Sequence, residues 1–454
     1  MAEQVDREII ADLYLSRQGM DFLVELVEGY GPRFGGSEEE RAAAEFIKDR
    51  FEAMGLDRTS LEEFTCPGWV RKETSLAAVS PEEKAFDCIA LPFCPPGEVE
   101  APLVYLGDGH PQAYEDNRDR LKGAVAMVTT ATPRFYHRSM HRGEKLGRAL
   151  EAGAIGFIWM RGEPGGLPET GSARLGFPCE VPAISVSYET GHDILRLGRK
   201  GDVKVKISSD NQILDVTSLN PVGEIVGRTR PDEIIVVGAH YDGHDISQSA
   251  ADDGAGTAVV VEAARALSRH KDRLDRTVRF VGFAQEEMGL MGAEHHVTAH
   301  AGENIVFMLN LDGAGRGSDG SFVLQGWPEA VSTFKDMFRD MNEEEVAVGD
   351  RIGIYSDMYP FAARGIPAAT MTSAQPASSG APRGYGHTFW DSLDKVSVKP
   401  IQIDASRVAR LIYRLATVDE VPLRKKEPGE IGEILREVGY EDVLRYEKRP
   451  LPGE

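Results

Sequence analysis

Three near-continuous apolar runs set the terms for this chain: EIIVVGA at Glu233–Ala239, VRFVGFA at Val278–Ala284 and NIVFMLNL at Asn304–Leu311. A strand with one wet face alternates apolar and polar residues, but these runs do not alternate, and helical stretches separate them. Strands of a parallel sheet covered on both faces read this way. The fold class that follows is α/β, a mostly parallel mixed sheet flanked by helices, beginning near Val222. In open sheets of this kind the ligand sits beyond the carboxyl ends of the strands. The first run is followed by His240 and Asp242, the second by Glu286 and Glu287, and the third by Asp312. Each has an ordinary explanation by itself: a turn former, a solvated helix start, a tight turn. Ordinary alternation of strand and loop does not place metal-ligand types at three successive strand ends.

A fourth element joins this set. In AADDGAGTA (Ala250–Ala258) two aspartates stand among residues kept small, just before the helical stretch TAVVVEAARALSRH. An Asp at that point caps a helix by accepting bonds from the free N–H groups of its first turn. A two-metal site asks more: about three His or carboxylate ligands per ion, with one carboxylate shared. His240, Asp252, Glu286, Glu287 and Asp312 supply most of that requirement, and a second imidazole must come from elsewhere. His137 and His141 lie in an Arg-rich stretch, His270 and His300 follow helical segments, and His295 and His296 sit on a helix that faces away from the strand ends. His387, in the loop GYGHTFWDSLDKV, is the best-placed candidate.

Elsewhere, Ser37 with Glu40 three residues on reads as a capping box that opens a helix ending at Gly55, with Phe46, Ile47, Phe51 and Met54 on its apolar face. The proline-rich Pro92–Pro102 suits a linker or domain crossing. Strand and helix signals then alternate over a smaller, β-rich stretch ending near Gln212. The expected domains are residues 1–95, the N-terminal part of the catalytic domain; 96–212, an inserted domain; 213–420, the catalytic core; and 421–454, a helical tail that packs on the core or forms a dimer. The net charge of −22 repels nucleic acid and anionic membranes. Cys66, Cys88, Cys94 and Cys179 include no CxxC pair and read as reduced thiols. The N-terminal residues lack an apolar signal segment and no run spans a bilayer, which points to the cytoplasm.

In order along the chain, GAHYD, ADDGAG, FAQEEMGLMGA, NLDGAG, SDMYPFAARGIPA and GHTFWDSLDKV resemble the motifs of the M28 family of zinc peptidases, the aminopeptidase Y and carboxypeptidase Q group. The resemblance covers Gly31–Gly55 and about Val222–Ala416, with a stretch like a protease-associated (PA) domain between them. It implies the zinc-exopeptidase, phosphorylase/hydrolase-like fold, a peptide or dipeptide substrate and two co-catalytic Zn2+ ions. His240 and Asp312 would bind one zinc and Glu287 and His387 the other, with Asp252 shared. Glu286 would be the general base, Asp242 would hold His240 through its other ring nitrogen, and the Asp252–Asp253 peptide bond would be cis. Tyr385, two residues before His387, is a candidate to stabilise a tetrahedral oxyanion, with loop packing as its other reading. Two departures bear on specificity: Ala255 replaces the family's usual Ser, and Met358 replaces the His of a frequent SDH triplet.

Aminopeptidase activity is the expected reading, with a carboxypeptidase or dipeptidase of the carboxypeptidase Q type as its alternative. A non-catalytic receptor-like scaffold and a single-zinc glutaminyl cyclase are weaker, because all five ligands and Glu286 are present. Asp357 is a candidate partner for a substrate ammonium, and Arg316, Arg351 and Arg383 for a terminal carboxylate.

Overall fold

The structure, a computed structural model, describes residues 2–373 and 384–454. Two compact units divide the chain. The larger comprises Met1–Thr65, Thr217–Gly439 and Leu451–Glu454, and the smaller Cys66–Val216 and Tyr440–Pro450. Pro92–Pro102, read from its prolines as a linker, runs inside the smaller unit, where Leu91, Phe93 and Cys94 are fully buried.

One eight-stranded sheet orders Arg58–Val70, Gln212–Ile225, Arg276–Phe283, Arg230–His240, Asn304–Asn310, Ala368–Ser373, Gly320–Leu324 and Ala347–Asp350. The three apolar runs are its centre, as expected. Arg230–His240 pairs in parallel with Arg276–Phe283 on one side and Asn304–Asn310 on the other. Every residue of Arg276–Phe283 is buried, which explains why the run shows no alternation. Gln212–Ile225 and Gly320–Leu324 join antiparallel, so the sheet is mixed. Ala255–Ser268 and Val398–Thr417 pack against each other beside it, and the first is apolar almost all round because it is buried almost all round. Register decides what happens at the edge. His240 lies opposite Phe283, and Gly238 opposite Asn310, so the residues after each strand emerge at the same end.

The smaller unit has its own eight-stranded sheet, in the order Lys84–Phe86, Thr74–Ser80, Lys204–Ser209, Gly97–Tyr105, Val125–Thr129, Gly156–Met160, Ala183–Val186 and Ile89–Ala90. Its central strands are parallel. Ala126, Val128, Phe157 and Trp159 enter one apolar cluster, and Val125, Met127, Ile158 and Met160 enter the other. Period-two alternation thus feeds two cores, one on each face of the sheet.

The helix predicted after Ser37 forms at Glu38–Ala53, and Ser37 Oγ accepts from the Glu40 N–H at 3.0 Å. The reciprocal half of the capping box is not made. Glu40 instead accepts from the Gly36 N–H at 2.7 Å and from Ser218 Oγ at 2.7 Å, while its Oε1 is buried without a hydrogen-bond partner among the described residues. Burial, with Asp242 nearby, pushes this carboxyl from an ordinary 4.5 up to about 8, so the folded protein holds its proton at neutral pH. The folded state binds a proton that the unfolded state has released. The resulting stability is fully present below about 4.5 and is lost as pH rises through about 8. Glu40→Gln, which keeps the shape without the titration, therefore gains on the parent across that window, by a few kcal/mol at its alkaline end. Urea unfolding at pH 5 and pH 9 measures this; a gap between the two proteins that stays constant refutes the buried proton.

Candidate active site

The strand ends converge. His240, Asp242, Asp252, Asp253, Glu287 and His387 are all buried, and Glu286 is 9% exposed. Asp252 holds the central position. Its Oδ1 lies 3.5 Å from His240 Nε2, and its Oδ2 lies 3.5 Å from His387 Nε2. Glu287 Oε2 lies 3.2 Å from the same His387 nitrogen. One carboxylate thus presents an oxygen to each of two imidazoles that the chain brings from far-apart loops.

The supporting contacts explain how these groups are held. Asp242 accepts from two successive backbone N–H groups, those of Glu286 at 3.0 Å and Glu287 at 3.2 Å, and its Oδ1 stands 3.5 Å from His240 Nδ1. Asp391 does the same for the other loop, accepting from the N–H groups of Ala251 at 2.8 Å and Asp252 at 3.0 Å. Ser356 Oγ donates to Asp312 Oδ2 at 2.8 Å. Buried Arg33 donates to the carbonyls of Tyr241 at 2.7 Å and Ser249 at 2.9 Å, tying the loops on either side of His244. The Asp252–Asp253 bond is cis, and Ser249, Gln285 and His387 adopt left-handed backbone conformations at the cluster's margins. Non-glycine residues are rarely held that way, and such residues gather at functional sites.

Close approach accounts for the small neighbours of the aspartates. A Cβ on Gly256 would lie 2.2 Å from Asp253 Oδ2, and one on Gly386 would lie 2.8 Å from Asp252 Oδ2. Asp253 keeps its capping role, accepting from the Gly256 N–H at 3.3 Å and also from Gly313 at 3.2 Å.

Sequence reasoning missed His244 and left Arg316 as one of several candidate carboxylate partners. His244 Nε2 is 2.9 Å from Glu287 Oε2, and its ring meets His387 edge to face, centroids 4.5 Å apart. The signal was present in HYDGHD, where His244 falls two residues beyond Asp242. Arg316 Nη2 lies 3.0 Å from Asp252, 3.4 Å from Asp253 and 3.5 Å from Asp312, while its Nε donates to the Ala251 carbonyl at 2.6 Å. Asp357 is fully buried, and neither of its oxygens has a hydrogen-bond partner among the described residues. Arg351 is exposed, and Arg383 lies outside the described residues. Tyr385 is half-buried with Lys395 Nζ over its ring at 4.8 Å, and its carbonyl accepts from the Thr388 N–H.

The electrostatics call for positive charge. Burial pushes Glu286, Asp253 and Asp357 well above the usual carboxylate range, each pressed further by neighbouring acids. Against the same burial, Arg316, His240 and His387 hold Asp252 well below that range, and His244 and His387 do so for Glu287. Burial lowers His240, but Glu286, Asp242 and Asp252 outweigh it and raise its pKa well above the ordinary value. Buried charges of one sign need a cation or a proton. Among the described residues of this cluster, three donor groups satisfy the spacing for a metal ion: His240 with Asp252 and Glu287, His240 with Asp253 and Asp312, and His244 with Glu287 and His387. Mixed imidazole and carboxylate donors suit a divalent transition-metal ion.

Known proteins carry the same architecture. Residues 220–412 match peptidase family M28, and residues 99–194 match the PA domain. The chain is 24% identical to aminopeptidase YwaD of Bacillus subtilis over 94% of its own length and 90% of that protein's. It is 23% identical to mouse carboxypeptidase Q, covering 87% and 85% of the two chains. The structure of a peptidase M28 precursor from Shewanella amazonensis superimposes with a TM-score of 0.77 at 25% identity, over 94% of this chain and 98% of that one. A zinc aminopeptidase from Bacillus subtilis superimposes at 0.67 and 22% identity, covering 89% and 96%. Fold and relatives together define a hydrolase that acts on peptide bonds. More particularly, residues 220–412 are a peptidase family M28 domain and residues 99–194 a PA domain.

Proposed function

We propose that this protein is a zinc-dependent exopeptidase, an aminopeptidase, that holds two Zn2+ ions on either side of Asp252. The observation that carries the reading is the Asp252 carboxylate, with one oxygen 3.5 Å from His240 Nε2 and the other 3.5 Å from His387 Nε2. Asp312 would complete the His240 side and Glu287 the His387 side. Zinc there supplies Lewis acidity, polarising a peptide carbonyl and making water a nucleophile near neutral pH.

The protein's own groups do the rest. Asp242 orients the imidazole of His240 and, through the Glu286 and Glu287 N–H groups, fixes the turn that carries both glutamates. Glu286, on the turn that Asp242 fixes, would take a proton from the attacking water and return it to the leaving amine. Tyr385, two residues before His387, would stabilise the oxyanion through its hydroxyl.

Recognition of a free amino terminus is supported by the charge balance. The cluster is rich in buried acids, among them Asp357, whose oxygens have no hydrogen-bond partner among the described residues, and these attract an α-ammonium. Arg316 is engaged by three aspartates and a carbonyl rather than left open for a terminal carboxylate. A panel of dipeptides blocked at either end tests this. Cleavage is expected to need a free amino terminus and to tolerate a blocked carboxyl terminus. Equal cleavage of N-acetylated dipeptides would overturn the aminopeptidase assignment in favour of the carboxypeptidase alternative.

A further inference from the structure

Apart from the active site, one more cluster of metal-ligating side chains stands out in the peptidase unit. His296 and His300 lie one turn apart on and just beyond the helix Met291–Ala299, and both face Glu62 on the strand Arg58–Val70. His296 Nδ1 is 2.8 Å from Glu62 Oε2, and His300 Nε2 is 2.7 Å from Glu62 Oε1. A donor atom from each residue falls within 4.8 Å of the others, as around a single ion. Imidazoles at i and i+4 share a helix face, so the pair is pre-set to hold an ion with a third donor from a neighbouring element.

We propose that Glu62, His296 and His300 form a structural site for a divalent transition-metal ion of the zinc type, separate from the catalytic cluster, that clips this helix to this strand. Two imidazoles and a carboxylate are a donor set zinc accepts, with bonds of about 2.0–2.2 Å and a fourth position left for water. The present nitrogen–oxygen separations are those of hydrogen bonds, and opening them by about half an ångström seats such an ion.

Two features of the surroundings suit an ion at this place. His300 Nδ1 lies 3.0 Å from Glu303 Oε1, and Glu303 Oε2 is itself paired with Arg279 Nη1 at 2.7 Å. A metal-ligating histidine characteristically donates its other ring N–H to a carboxylate that is anchored in turn. The site also lies at the C-terminal end of its helix, where His300 is the capping residue and the helix dipole favours positive charge.

Metal content decides the matter. The full-length protein, His300→Ala and Glu62→Gln would each be dialysed to equilibrium against Zn2+ and the bound zinc counted per chain. Both substitutions are mild: Ala favours helix, His300 is partly exposed, and Gln keeps the shape of Glu62. Each variant is expected to bind one zinc fewer than the parent while hydrolysing peptides at the parental rate. Unchanged zinc content in both variants overturns the proposal. So does a zinc loss accompanied by loss of peptidase activity, which would place the missing ion at the catalytic cluster.

Discussion

Glu286→Gln is expected to lower peptide hydrolysis by about 10²–10⁴-fold while leaving the fold and the bound zinc unchanged, since general acid–base catalysis contributes about that much. Glutamine keeps the size and polarity of the side chain but cannot accept and return a proton. The backbone N–H of residue 286 still donates to Asp242, so the turn that places Glu287 persists. The loss should therefore fall on kcat and leave KM nearly as it was, because the lost interaction is made in the transition state. Steady-state kinetics with zinc analysis and circular dichroism on the same preparation checks all three parts. A variant that cleaves within a few-fold of the parent assigns the proton transfer to another group, and one that loses zinc makes Glu286 a ligand.

Asp252→Asn is expected to do more. The Asp252 carboxylate is the group that faces both His240 and His387, and an amide can offer an anionic oxygen to neither. Zinc content should fall and hydrolysis should drop at least as far as in Glu286→Gln, without recovery when zinc is restored to ordinary levels. Partial recovery at high zinc concentration would show weakened binding rather than a lost bridge. The apo fold should survive, because Arg316 keeps Asp253 and Asp312 as partners. Parental zinc content and activity in this variant would remove Asp252 from the centre of the site. The two substitutions are distinguishable by design: one spares the metal and stops the chemistry, and the other removes both.

Much of this arrangement was legible in the chain. The three apolar runs became the three central parallel strands, and the residues after them came to one edge because register places His240 opposite Phe283 and Gly238 opposite Asn310. Local signals failed where a long-range partner competed. Glu40 was expected to turn back onto Ser37, but Ser218, far away in sequence, and the nearby Gly36 N–H hold it instead. The prolines of Pro92–Pro102 mark turns, and whether turns lie in a linker or within a domain depends on what packs over them. His295 and His296 were set aside because their helix leads away from the strand ends. Only the pairing of that helix with Glu62 gives His296 a partner. Among the described residues no helix is long and apolar enough to cross a membrane.

What the sequence by itself determined is the kind of sheet and the residue types at its edge, since both follow from near-neighbour patterns: unbroken apolar runs, and His or carboxylate after each. Tertiary structure alone decided which of those groups share a carboxylate, that Arg316 sits among the aspartates, and that His244 joins Glu287 and His387. Those relations link loops separated by tens to more than a hundred residues. Their geometry is set by strand register, by the anchoring of Asp242 and Asp391 to backbone N–H groups, and by the low tolerance of buried like charges for distance from a cation. Periodicity along the chain can bring residues to a surface, but only packing fixes the few ångströms between them.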